Sequence, residues 1–178
     1  RCMCRAAAIS VLLCIPAHGV AEDGDLYIGP YHNESTDDRN QRMAWWREAR
    51  FGLFIHWGVY AVPAGTHKGE QIENIGEWIM HYGRIPVSEY QKYSREFNPV
   101  NYDPEAWVRL AKDAGMKYIV ITTKHHDGFA LFDTAVSDWN VVDSTPHAKD
   151  LLKPLAEAAR KHGIKLGFYY SQAQDWVH

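Results

Sequence analysis

Cysteine is nearly absent from this chain: only Cys2, Cys4 and Cys14 occur, all close to the start. Everything downstream therefore lacks both a disulfide framework and a thiolate metal site. An excess of positive charge is missing too. The 178 residues carry 19 Lys and Arg against 22 Asp and Glu, a formal net charge of −3, which argues against nucleic acid or an anionic membrane as the main partner. No apolar run reaches the roughly 20 residues needed to span a bilayer. No internal repeat or low-complexity tract occurs, no Gly-rich phosphate loop follows an apolar run, and the metal-binding spacings H-x-H and H-E-x-x-H are absent. What is plentiful is aromatic: 7 Trp, 10 Tyr and 6 Phe. That is more than a core of this size needs, and aromatic faces stack on the apolar faces of small ligands, sugars included.

The first 21 residues read as a secretory signal. Arg1 and Arg5 make a positive start, Ala6 to Ile15 a short apolar stretch, and Gly19 and Ala21 supply small residues before a cut ahead of Glu22. Bulky Leu13 before Cys14 argues against lipoprotein processing. The expectation is a secreted or periplasmic protein, mildly acidic and without a membrane anchor. Residues 22–44 then read as a polar arm or linker, rich in Asp, Asn, Ser and Gly up to about Asn40.

From residue 45 to residue 178 short apolar runs alternate with helical patterns. Phe51–Trp57 (FGLFIHW), Tyr118–Thr123 (YIVITT) and Lys165–Ser171 (KLGFYYS) read as strands, the first as a strand buried on both faces. A helix is expected after Asp103-Pro104, an N-cap with proline at the first helical position, ending at Gly115. Its apolar face would carry Trp107, Leu110, Ala111 and Ala114. A second opens near Asp150, with Leu151, Leu155, Ala158 and Ala159 on one stripe and Gly163 as its stop. Pro154 must fall in its first turn, since deeper in it would cost about 3 kcal/mol. A further helix is expected over Pro86–Phe97, with Tyr90, Tyr93 and Phe97 on one side. Strands alternating with helices imply an α/β fold with a parallel sheet. Without a phosphate loop, the (β/α)8 TIM-type barrel is the better fit than a doubly wound sheet. A whole barrel takes about 250 residues, so the chain would hold only the first three or so strands, truncated at the C-terminus.

The polar residues that stand out lie at the carboxyl ends of these strands: His56 after the first, His125 and His126 after the second, and Tyr169, Tyr170 and Ser171 at the third. In a barrel that end binds ligands. Three histidines at one mouth suit a metal on donor type alone. But side chains alternate along a strand, so adjacent His125 and His126 share a pocket only if the chain has already left the strand. A sugar is the alternative. Its hydroxyls donate and accept hydrogen bonds beside apolar C–H faces, and neutral imidazole offers one donor and one acceptor.

Four motifs in order, FGLFIHWGVYAVPAG, GEWIM, KHHDGFALFDT and FYYSQAQDW, resemble the retaining α-L-fucosidases of glycoside hydrolase family 29. The resemblance runs from about Trp45 to the last residue. It implies a (β/α)8 catalytic domain, no cofactor and no metal, and hydrolysis of terminal α-L-fucose from fucosylated glycans with retention of configuration. Position by position it implies substrate-binding roles for His56, Glu77, Trp78, His125, His126 and Tyr169. A retaining glycosidase needs a nucleophile and an acid/base carboxyl about 5 Å apart. In the family both lie beyond the third strand, so no catalytic residue is assigned within this chain. Asp127 reads as a turn residue or a brace for the His pair, Asp175 matches an acidic position that is not the nucleophile, and Asp133 and Asp138 read as loop residues. Two other functions fit the same pocket: a carbohydrate-binding protein without catalysis, and a metal-dependent hydrolase on His56, His125 and His126. Linkage specificity and oligomeric state leave no signature.

Overall fold

The computed structural model describes residues 30–178, so the signal stretch and the first part of the arm lie outside the described residues. The chain divides into two units, one ending at Arg50 and one spanning Phe51–His178. In the first, α1 (Thr36–Ala49) occupies ground read as arm and crosses the expected boundary at residue 45. Its start is written locally. Ser35 accepts a hydrogen bond from the Asp38 amide at 3.1 Å, and Asp37 and Asp38 sit in the first turn, where carboxylates favour the helix dipole. No residue of α1 is buried, so capping rather than an amphipathic stripe is its signal.

The second unit is built on a three-stranded parallel sheet. Strand β1 (Gly52–Ile55) pairs with β4 (Tyr118–Lys124), which pairs on its other side with β5 (Lys165–Tyr170). Strands β2 (Thr66–His67) and β3 (Glu70–Gln71) form a small antiparallel hairpin in the long β1–β4 connection. That connection also holds the one-turn helices α2 (Ile79–Tyr82) and α3 (Val87–Tyr90), and then α4 (Pro104–Asp113). After β4 come α5 (Val141–Ser144) and α6 (Leu152–His162). Among the described residues, no helix is long and apolar enough to cross a membrane.

Helices α4 and α6 pack on each other, α4 also against β4 and α6 against β5. The Asp103 carboxylate accepts from the Ala106 amide at 2.9 Å, with Pro104 at the first helical position. Asp150 accepts from the Leu152 and Lys153 amides at 2.7 and 2.8 Å, placing Pro154 in the first turn of α6. Gly163 closes α6 at φ 71°, a left-handed conformation that glycine adopts without a Cβ penalty. The expected stripe of α6 is buried: Leu151, Leu155, Ala158 and Ala159 all belong to the core, with Val108 and Ala111 of α4 and Ile119 and Ile121 of β4.

Three expectations need correction. The buried face of α4 is centred on Val108 and Ala111, whereas Leu110 is 70% exposed. The sequence is apolar across more than one face there, and the neighbours choose which edge is covered. The Pro86–Phe97 helix is one α turn followed by a 3-10 segment, Gln91–Arg95. There the Ser94 hydroxyl donates back to the Gln91 carbonyl at 2.8 Å, a local competitor of regular helix. Strand β1 is not buried on both faces. Among the described residues it pairs on one side only, with β4, and Phe54 is 52% exposed, while the central strand β4 is buried from Ile121 to Lys124.

Candidate functional site

The parallel strands deliver their carboxyl ends to one side of the sheet, and all six residues singled out from the sequence meet there. His56 follows β1, and its ring lies 4.7 Å from that of His125. His125 and His126 have ring centroids 4.0 Å apart, and His125 stacks on Tyr169 at 5.8 Å. The 3-10 turn Gly76–Trp78 brings in the other two. Glu77 Oε1 is 3.6 Å from His56 Nδ1, a contact rather than a hydrogen bond, and the Trp78 indole stands edge-on to His126 at 5.2 Å.

Adjacent histidines share this pocket because β4 breaks its own alternation. The pairing of β4 with β5 shifts register between Thr122 and Lys124, so one residue is extra there. The strand then ends at Lys124, and His125 to Gly128 forms a turn closed by the Gly128 amide on the His125 carbonyl at 3.0 Å. A bulge followed by a turn removes the two-residue period that would have sent the two rings to opposite faces.

The environment fixes their charge. Burial pushes the His125 pKa down to about 3, helped by the neighbouring His126 and His56. Its Nδ1 is buried with no hydrogen-bond partner among the described residues, so a doubly protonated ring would leave a buried N–H unsatisfied. His126 is lowered as well, by burial first and then by His56 and Lys124. Its Nδ1 lies 2.7 Å from the Ser171 hydroxyl. Both rings are therefore neutral near pH 7, able to donate from one nitrogen and accept at the other.

Asp127 forms part of the turn, as expected, but it does not brace the imidazoles. It is fully buried, accepting from the Tyr90 hydroxyl at 2.8 Å and the Phe129 amide at 3.2 Å. Burial raises its pKa to about 6. Among the described residues, no group of three or more His, Cys, Asp or Glu side chains is arranged to hold a metal.

Sequence reasoning missed two aromatic neighbours. Tyr60 lies 5.8 Å from His56 and 5.5 Å from His125, and its hydroxyl is 3.3 Å from Thr122 Oγ1. Trp176 packs on Trp78 at 5.3 Å and on His126 at 5.4 Å. Tyr60 stands four residues after His56 in a 3-10 turn, a spacing invisible to a strand-based reading. Trp176 reaches the site by a loop whose path depends on long-range contacts.

The alpha-L-fucosidase family model matches residues 28–178 of this sequence. This chain belongs to that family. Among characterised fucosidases, the tissue alpha-L-fucosidase of Macaca fascicularis is 40% identical over 148 residues, covering 79% of this chain and 31% of that protein. The human tissue enzyme gives the same figures. Solved fucosidase structures agree. The unliganded alpha-L-fucosidase AlfC from Lactobacillus casei superposes with a TM-score of 0.75 at 45% identity, over 78% of this chain and 42% of that one. Isoenzyme 1 from Paenibacillus thiaminolyticus gives 0.70 at 53% identity, over 79% and 30%. The chain thus spans about a third of the length of its characterised fucosidase relatives.

Proposed function

We propose that this chain is the amino-terminal part of the catalytic domain of an exported α-L-fucosidase, which removes terminal α-L-fucose from glycans with retention of configuration. The β1–β4–β5 order, with α4 and α6 between successive parallel strands, supports reading the chain as the start of a (β/α)8 barrel. One observation carries the functional reading. His56, Glu77, Trp78, His125, His126 and Tyr169, picked from separate motifs, form one continuous series of side-chain contacts at the carboxyl ends of the strands.

In this reading the neutral imidazoles and Glu77 hold the fucose hydroxyls, and Trp78, Tyr169 and Phe54 offer apolar ring surface to its C–H face and methyl group. The relative AlfC has been solved with α-L-fucose and with Fucα(1,6)GlcNAc, which supports a fucosylated oligosaccharide as substrate. The reacting carboxyls belong to the part of the family's domain beyond residue 178. Asp127, next to the His pair, is fully enclosed and held by the Tyr90 hydroxyl and the Phe129 amide, so it is not free to attack an anomeric carbon. The metal-hydrolase and purely binding alternatives find no comparable support. Export rests on the pattern of residues 1–21.

The test is release of fucose from an aryl α-L-fucoside. The full-length protein should hydrolyse it and residues 1–178 alone should not. His56→Ala in the full-length protein should lower kcat/KM about tenfold or more, for the loss of a hydrogen bond that strengthens in the transition state. An inactive full-length protein would overturn the reading, and an unchanged kcat/KM would remove His56 from the site.

A further inference from the structure

Lys124, the last residue of β4, is a buried cation beside the candidate site, and its partner lies 51 positions away. Its ammonium donates to Asp175 Oδ2 at 2.6 Å and sits 5.0 Å over the Tyr170 ring. The other Asp175 oxygen accepts from the backbone amides of Val177 and His178 at 3.1 and 3.0 Å. One carboxylate thus folds the 175–178 turn and ties it to β4. Between its two anchors lies Trp176, whose own amide donates to the His126 carbonyl at 2.8 Å. The fit is tight from the opposite side as well. A Cβ on Gly128, at φ 73°, would meet Asp175 Oδ1 at 2.6 Å, so only glycine lets the His125–Gly128 turn and the Asp175 turn close on each other.

We propose that Trp176 is a wall of the sugar pocket, and that Lys124 and Asp175 are a positioning pair that seats it against His126 and Trp78. The proposal rests on the fucosidase reading above for the identity of the sugar, and on the geometry alone for the positioning. Burial opposes the charge on Asp175, but Lys124 and the Val177 and His178 amides outweigh it and hold its pKa at about 2. The Asp175 carboxylate is therefore ionised near neutral pH and well into the acid range. Lys124 and His178 are the charged or titratable groups within ion-pair distance of that carboxylate. The Trp176 ring, packed on one imidazole of the pair, adds an apolar face, which suits the C–H side of a deoxyhexose.

The experiment uses the full-length protein in two arms. The first needs no ligand: the His126 Hε1 resonance reports the Trp176 ring current. Asp175→Asn should move it to the position seen in Trp176→Ala, leaving His67 and His162 unmoved. Because Asp175→Asn leaves Lys124 buried without a counter-charge, the double variant Lys124→Met/Asp175→Asn repeats the measurement with no unpaired charge. The second arm measures L-fucose binding by calorimetry. Trp176→Ala and the double variant should each bind about tenfold more weakly, while Trp176→Phe stays near wild type. An unmoved His126 resonance in the double variant overturns the positioning role, and unchanged fucose affinity in Trp176→Ala overturns the wall. A wild-type protein that neither binds fucose nor cleaves the aryl fucoside instead overturns the fucosidase reading, with the resonance arm still deciding the tether.

Discussion

The two sides of the candidate site are built differently. The side after β4 is enclosed and over-tied: His125 and Asp127 are buried, Tyr90 holds Asp127, Ser171 meets His126, and the Lys124–Asp175 pair fastens the facing loop. The side after β1 is open. His56 has 40% of its side chain exposed and meets Glu77 at 3.6 Å, beyond hydrogen-bond length. A polar group held rigidly in a dry setting orients a ligand at little further entropic cost, whereas an exposed one must be ordered when the ligand arrives. On this comparison the β4 side is preorganised, while the groups on the β1 side are left to be ordered when a ligand arrives.

Substitutions on the two sides should therefore separate stability from activity. The largest loss of stability is expected for Lys124→Met, which strands a partly buried carboxylate: about 3 kcal/mol in urea denaturation. Next comes Tyr90→Phe, which removes the hydroxyl from Asp127 Oδ2 and should cost about 2 kcal/mol. On the open side, His56→Ala should change stability by no more than about 1 kcal/mol while still reducing kcat/KM. A destabilisation by His56→Ala as large as that by Lys124→Met would erase the distinction.

Acidity sharpens the contrast within the enclosed side. The Asp127 pKa is raised from 3.8 to about 6 by burial, so its contribution to stability is complete below about pH 4 and is lost as pH rises through 6. The His125 pKa is lowered from 6.5 to about 3, so its contribution is complete above 6.5 and is lost as pH falls towards 3. Between pH 4 and 6 these two groups oppose each other. Asp127→Asn removes the falling component, and denaturation midpoints of that variant should climb more steeply with pH over this range than those of the wild type. Equal slopes would show that the Asp127 carboxyl is not strained by its burial.

Much of the fold was legible because its signals are local. Asp103-Pro104, Asp150 and Gly163 mark helix ends through their own backbone bonds, and β-branched YIVITT has few options besides a central strand. Helix α1 was missed because its signal is a cap without a buried stripe, and the face of α4 was misplaced because five apolar positions cover more than one side. The site was legible as a set of residues through their motifs, but their assembly was not. The adjacent pair His125 and His126 even argued against a shared pocket, until the bulge at Thr122–Lys124 removed the alternation.

By itself the sequence determined the family, the strand and helix succession, and the six polar and aromatic residues of the site, because motifs, caps and periodicity act over a few neighbouring positions. Only the tertiary structure decided that those six converge, that His125 is neutral, that Asp127 answers to Tyr90 rather than to the imidazoles, and that Trp176 is carried to His126 on an ion pair. Each of these depends on burial or on partners far apart in the chain, and desolvation and long-range contact have no local signature.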